Sequence, residues 1–321
     1  MNKPKKQHLI RKFVFTILLA AASVFCSGCL ATAAIVFHHK LKQADMLESW
    51  SEKDGSLIKD IVYDPGKNLT YDLYLPKDIR ENETRHAMIF IHGGAWNSGR
   101  KEDMAYACRR YVKEGYLTVT LKYSLAAKNG PPVTFFTMLD DITRCLAHVK
   151  TYTGERGITV KKVALSGYSA GGHLAMLYAF SRKNESPIPI AFVFTQVGPS
   201  IFTYDAWGPK KEKFALALAS AASGQTINKE NYHSAQTRNA IKSISPALLI
   251  NKDTVPGIYA FGKKDKLVIP LHAQALEAML KKHHVPHHVL IYPDSGHFLN
   301  DEKYARRYRE LIKEYCQKYF Q

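Results

Sequence analysis

The sequence predicts an α/β domain: a mostly parallel central sheet, helices on both faces, and a small cap inserted late in the chain. Three observations point there. Short apolar runs rich in Val, Ile, Tyr and Phe alternate with longer stretches of helical periodicity. Glycine-bearing turns follow several of those runs directly. Of 321 residues, about 265 remain after a distinct N-terminal segment, enough for one large core.

Along the chain, residues 1–12 form a basic tail carrying Lys3, Lys5, Lys6, Arg11 and Lys12. Residues 13–37 contain no charge, and 25 residues at about 1.5 Å each exceed the ~30 Å of bilayer hydrocarbon. A cleaved signal core is shorter, about 7–15 residues. The segment is therefore read as a single-pass signal anchor. The charge asymmetry across it puts the tail in the cytoplasm and the rest on the exoplasmic side. A lipoprotein modified at Cys29, or a secreted product, are the alternatives. Residues 38–56 are read as a polar tether and 57–321 as the catalytic domain.

Within that domain, strands are expected at 57–63, 69–75, 87–91, 117–123, 162–165, 190–196, 257–261 and 288–292, the first two as an antiparallel hairpin. Helices are expected at 133–150, 170–182, 271–283 and 301–320. The stretch 199–245 interrupts the alternation. It holds Phe202, Tyr204, Trp207 and the apolar run from Phe214 to Ala219. Lying between two core strands, it is expected to fold over the carboxyl edge as a cap. It either lines an acyl or alcohol pocket or packs as a short helix.

The chemistry-bearing residues stand where these strands end. Leu165-Ser166-Gly167-Tyr168-Ser169-Ala170-Gly171-Gly172 leaves a strand and opens a helix. Such a turn strains the backbone of Ser169, while Gly167 and Gly171 keep the flanking chain clear of it. Lys263-Lys264-Asp265 follows the strand 257–261, and Asp294-Ser295-Gly296-His297 follows 288–292. In this reading His297 takes the Ser169 hydroxyl proton and Asp265 holds the imidazole in the required tautomer. Asp253 and Asp294 compete with Asp265 as the acid, but Asp294 would have to fold back on a histidine three residues away. His92-Gly93-Gly94-Ala95-Trp96 follows the strand 87–91. The amides of Gly93, Gly94 and Ala170 are the expected oxyanion donors, each worth about 10²–10³ in rate. His92 is expected to hold that loop by hydrogen bonding. Trp96, Tyr168 and Trp207 are the expected substrate-binding side chains, with packing beneath the loop as the other role for Trp96.

H-G-G-A-W, G-Y-S-A-G-G, G-x-x-D-x-x-V and G-H-F, in that order, resemble the α/β-hydrolase superfamily and its carboxylesterase branch over roughly residues 57–320. That branch includes feruloyl-esterase-like, hormone-sensitive-lipase-like and prenylcysteine-methylesterase-like enzymes. Ala95 stands where the hormone-sensitive-lipase-like pattern carries a third glycine, so the likeness leans to the H-G-G-A-W subgroup. The resemblance implies the α/β-hydrolase fold and hydrolysis of a small-molecule or lipid-like carboxylic ester through an acyl-enzyme, without a cofactor. A serine peptidase or amidase of the same fold, formamidase included, is the nearest alternative. A catalytically inactive binding or adhesion protein is a further one.

Charge and cysteine content bound the rest. Lys and Arg outnumber Asp and Glu by 45 to 28, a net +17. Eight Lys/Arg and four Asp/Glu fall in residues 1–56, which leaves +13 on the remainder. An anionic membrane face suits such a domain, whereas no nucleic-acid motif accompanies the charge. The five cysteines show no zinc-ligand spacing. His283-His284-Val285-Pro286-His287-His288 straddles a helix end and a strand start without acidic or cysteine partners, so no metal is expected there. Asn68, Asn82 and Asn184 each begin an N-x-Ser/Thr acceptor pattern.

Overall fold

Eight strands pair into one sheet in the order β1-β2-β4-β3-β5-β6-β7-β8 in the computed structural model, which describes residues 50–126, 132–208 and 210–321. The basic tail, the apolar segment 13–37, Cys29 and the tether up to residue 49 lie outside the described residues. Among the described residues no helix is long and apolar enough to cross a membrane. The strands are β1 (Gly55–Asp64), β2 (Leu69–Pro76), β3 (Glu83–Ile91), β4 (Leu117–Leu121), β5 (Ile158–Tyr168), β6 (Ile190–Gln196), β7 (Gly257–Gly262) and β8 (His287–Tyr292). β1 and β2 form an antiparallel hairpin, and β2 also runs antiparallel to β4. The remaining neighbours pair in parallel.

Every residue of β4 and β7 is buried, which is why these strands read as unbroken apolar runs rather than as alternations. On one face Phe90 and Phe194 pack against Tyr111, and Phe192 against Tyr315 and Phe320. On the other, Ile89, Leu165 and Val193 join a core with Leu139, Ile142, Leu174 and Leu177. The covering helices are α1 (Ala105–Val112), α2 (Phe135–Gly154), α3 (Ala170–Ser181), α6 (Leu271–Lys282) and α7 (Glu302–Tyr319). The interruption after β6 contains a helical turn at Tyr204–Trp207, α4 (Glu212–Ser223) and α5 (Ala235–Ser243). This is the α/β-hydrolase fold.

Three differences from the sequence reading have local causes. β3 and β5 begin earlier than expected because their polar starts pair with each other, Glu83 opposite Ile158 and Thr84 opposite Thr159. Helix α1 has no counterpart in the expected helices, since it is only eight residues long, although Ala105, Cys108, Tyr111 and Val112 give it a buried face. Instead of one apolar helix, the 199–245 stretch holds two separate helices joined by an irregular segment.

The paired strands finish together. Ile91 lies opposite Gly167, Tyr168 opposite Gln196, Gln196 opposite Ala260, and Gly262 opposite Tyr292. The loops that leave β3, β5, β7 and β8 therefore emerge side by side on the carboxyl edge, where open α/β sheets hold their sites.

Candidate active site

The tightest of these turns is the one between β5 and α3. Ser169 has φ 53° and ψ −119°, a conformation that costs an L-residue about 1–3 kcal/mol unless its surroundings impose it. They do so by hydrogen bonding. The Ser169 N–H donates to the Gln196 carbonyl at 2.9 Å, and its own carbonyl accepts from His173 N–H at 3.0 Å. A methyl group at Gly167 would collide with the Gly171 backbone, and one at Gly171 with the carbonyl oxygens of Ile91 and His92. Glycine at both positions lets the helix start press against the ends of β3 and β5.

The Ser169 Oγ lies 3.0 Å from His297 Nε2, and His297 Nδ1 lies 2.8 Å from Asp265 Oδ2. The Asp265 side chain is fully buried. Its other oxygen, Oδ1, accepts the N–H groups of Leu267 at 2.8 Å and Val268 at 3.0 Å. Both carboxylate oxygens are thus bonded, with Oδ2 reserved for the imidazole, and Nδ1 carries the proton that Oδ2 accepts. That leaves Nε2 with a lone pair facing the serine hydroxyl. The competing acids lie elsewhere. Asp294 is exposed and bonded to Lys264 at 2.7 Å, whose ammonium holds its carboxyl below the usual range. Asp253 is exposed and bonded to Lys252 at 3.0 Å.

Two further contacts fix the histidine. Tyr168 Oη donates to the His297 carbonyl oxygen, and the tyrosine ring lies edge-on to the imidazole and stacked on Phe298. The Lys264 N–H donates to Ser295 O at 2.9 Å, which ties the acid loop to the histidine loop. The hydroxyl of Tyr168 therefore clamps the His297 loop.

The loop after β3 closes the other side. Gly93 approaches the turn so closely that a Cβ there would stand 2.8 Å from the Tyr168 carbonyl. The N–H groups of Gly93, Gly94 and Ala170 donate to no acceptor among the described residues, and Ala170 opens the 12-residue helix α3. Three amides are thus available beside Ser169, with a helix N-terminus behind one of them. His92, buried, bonds through Nδ1 to the Gly93 carbonyl at 2.8 Å and stacks on Tyr123, whose hydroxyl donates to the His92 carbonyl at 3.0 Å. Burial pushes the His92 imidazole below its ordinary pKa, so it serves this loop as a neutral donor.

Trp96 corrects one expectation. Its indole is 6% exposed and packs on Phe135 and Phe202, while Nε1 donates to His173 Nδ1 at 3.2 Å. With its one polar atom engaged inside the core, it takes the packing role beneath the loop. Trp207 is equally buried, against Phe202, Phe214 and His272. Its packing ties the inserted segment to α6.

Several supporting residues were invisible to sequence reasoning. His173 joins Trp96 to the Ile244 carbonyl. His272 Nδ1 accepts the Ser200 N–H at 3.1 Å. Lys101 is buried and bonds Asp72 at 2.7 Å, Glu102 at 2.8 Å and Asp60 at 2.9 Å, anchoring the chain beyond the oxyanion loop to the first hairpin. Only the position of His173, four residues into the turn that carries Ser169, gave any hint. No group of three or more His, Cys, Asp or Glu able to hold a metal occurs among the described residues. The 283–288 histidines diverge, His287 to the Val285 carbonyl and His288 to the Tyr315 hydroxyl.

Residues 71–280, well over half of the chain, match the BD-FAE family. The chain belongs to the BD-FAE family. The family match stops short of His297, which the fold itself carries to the serine. Among curated relatives, Esterase LipQ of Mycobacterium tuberculosis is 25% identical over 226 residues, covering 69% of this chain and 52% of its own. A probable isoprenylcysteine alpha-carbonyl methylesterase of rice is 28% identical over 143 residues, covering 44% of this chain and 33% of its own. The chain thus spans about half the length, or less, of these curated relatives. Among solved structures, esterase B of Lactobacillus rhamnosis superposes with a TM-score of 0.69 at 20% identity, covering 89% of this chain and 92% of that one. At that identity the likeness is one of fold, and it agrees with the BD-FAE assignment.

Proposed function

We propose that this BD-FAE member is a serine hydrolase that cleaves carboxylic esters through an acyl-enzyme intermediate. The observation that carries the reading is the continuous chain Ser169 Oγ, His297 Nε2, His297 Nδ1, Asp265 Oδ2, with links of 3.0 and 2.8 Å. Ser169 Oγ attacks the ester carbonyl carbon as His297 Nε2 takes its proton. The oxyanion that forms accepts from the Gly93, Gly94 and Ala170 amides. Asp265 stabilises the imidazolium without itself taking the proton. Collapse breaks the bond to the alkoxy oxygen, and His297 returns the proton to the departing alcohol. Water then attacks the acyl-serine with His297 as base, and the carboxylic acid leaves as Ser169 regains its proton.

The names of LipQ and the rice methylesterase support an ester, and the deciding measurement is direct. A fluorophosphonate label should modify Ser169 in the folded protein and not a Ser169→Ala variant. p-Nitrophenyl acetate, butyrate and longer acyl esters should turn over with a preference that identifies the acyl class. A label that misses Ser169 ends the proposal, and faster turnover of an anilide or formamide than of the matching ester replaces it with an amidase.

We also propose that residues 13–37 anchor the chain in a membrane with the hydrolase domain on the exoplasmic side. The uncharged run and the basic tail before it support this reading. Extraction of the full chain from membranes by alkaline carbonate would refute it.

A further inference from the structure

Among the described residues five large apolar side chains stand exposed: Val62, Tyr204, Phe214, Leu267 and Ile291. Val62 and Ile291 belong to β1 and β8, the two edges of the sheet, and Tyr204 turns onto Tyr232. The remaining two stay more than half exposed, although Phe214 also meets Trp207. Phe214, 53% exposed, sits in the first turn of α4, and Leu267, 58% exposed, follows Asp265 by two residues. Their segments meet. Lys211 Nζ donates to the Lys266 carbonyl at 3.4 Å, Gly208 lies against Ile269, and Trp207 touches both Phe214 and His272.

The charge on this junction is mostly positive. Lys210, Lys211, Lys213, Lys263, Lys264 and Lys266 are all exposed. The acids beside them are Asp205, Glu212, Asp265 and Asp294, of which Asp265 is buried against His297, Glu212 engages Lys229 and Asp294 engages Lys264. Two exposed apolar side chains set among lysines that outnumber the acids beside them are the combination that holds a protein at an anionic bilayer. Burial of the apolar groups and attraction of the cations act together there, each lysine contributing a factor of about 5 in partition. A soluble partner of either single character would leave one half of this surface without a counterpart.

The geometry points to this face, at the rim of the Ser169–His297–Asp265 site, as a docking surface for an anionic lipid bilayer. The carboxylate of Asp265 accepts the Leu267 N–H, so a membrane touching the Leu267 side chain lies one residue from the catalytic apparatus. An ester dissolved in the bilayer would then reach the serine without crossing bulk water. The docking itself does not depend on ester hydrolysis.

The test is lysine acetylation footprinting of the full chain on phosphatidylglycerol vesicles and on phosphatidylcholine vesicles. Any membrane anchor is common to both, so the difference between them reads the face. Lys213, Lys263 and Lys266 should be labelled several-fold more slowly on the anionic vesicles, with Lys252, in the turn that enters β7 on the opposite edge, unchanged. Lys213→Gln/Phe214→Ser should restore labelling at Lys263 and Lys266, with unchanged thermal unfolding as the check that the variant is folded. Equal labelling on the two vesicle types, or protection that survives the double substitution, overturns the inference. So does equal protection by monomeric dihexanoyl phosphatidylglycerol, because the face would then take a free anion and not a surface.

Discussion

Replacing Asp265 by Asn is the most informative single perturbation, because the structure dictates how the new amide must sit. Oδ1 of Asp265 accepts two backbone N–H groups, from Leu267 and Val268. Only the carbonyl oxygen of an asparagine can take that place, which turns its NH₂ toward His297 Nδ1. An N–H donor facing Nδ1 forces that nitrogen to accept, and the imidazole proton moves to Nε2. At 3.0 Å from the Ser169 hydroxyl, Nε2 then presents a hydrogen where it needs a lone pair. The side-chain volume barely changes and no bond to the backbone is lost, so the fold should survive. The expected loss in kcat is about 10⁴, equivalent to about 5.5 kcal/mol on the barrier. Hydrolysis of p-nitrophenyl acetate measures it, with thermal unfolding as the check on folding. Asp294→Asn, which alters only an exposed pair with Lys264, should leave kcat within about twofold. A folded Asp265→Asn protein within tenfold of the parent would refute the assignment of the acid.

Three other outcomes follow from the supporting contacts. Burial pushes His173 down to about 3 and His272 to about 4, whereas both protonate near 6.5 once unfolded. The unfolded chain therefore binds more protons below that pH. Their stabilisation is complete above about pH 7 and is lost as pH falls toward 4, by up to about 4 kcal/mol for the pair at pH 5. Thermal melts between pH 7.5 and 5 should show it, and His173→Gln should flatten the dependence. Lys101→Met leaves Asp72 buried without its closest cation and should cost about 3–5 kcal/mol in denaturant unfolding, with Lys101→Met/Asp72→Leu recovering much of the loss. Gly171→Ala should reduce kcat by at least about 10²-fold, because the methyl group must displace the Ser169 turn from the end of β3. Wild-type rates in a folded Gly171→Ala protein would show that the close approach has no role.

What the sequence discloses depends on how far apart the interacting residues lie. Buried parallel strands announce themselves as local apolar runs, and a residue just after such a run is thereby placed on the carboxyl edge. Ser169, Asp265 and His297 are legible for that reason, though 128 residues separate the first from the last. Strand limits are less legible when polar starts pair across the sheet, as Thr84 and Thr159 do. The role of Trp96 turns on a histidine 77 residues later that takes its N–H, and a tryptophan beside an oxyanion loop reads equally well as a substrate contact. Lys101 and Asp72 look like ordinary surface charges until β2 and the turn after the loop are brought together. Nothing within a few residues of either indicates that both are buried.

The close contact of Gly171 with the last carbonyls of β3 joins two parts of the machinery that the chain encodes far apart. The nucleophile belongs to the β5 turn and the amides at Gly93 and Gly94 to the β3 loop, yet one backbone seam sets the spacing between them. Neither can drift while the central strands remain paired. Inactivation by heat or urea should accordingly coincide with melting of the whole sheet, with no earlier stage in which structure persists and turnover does not.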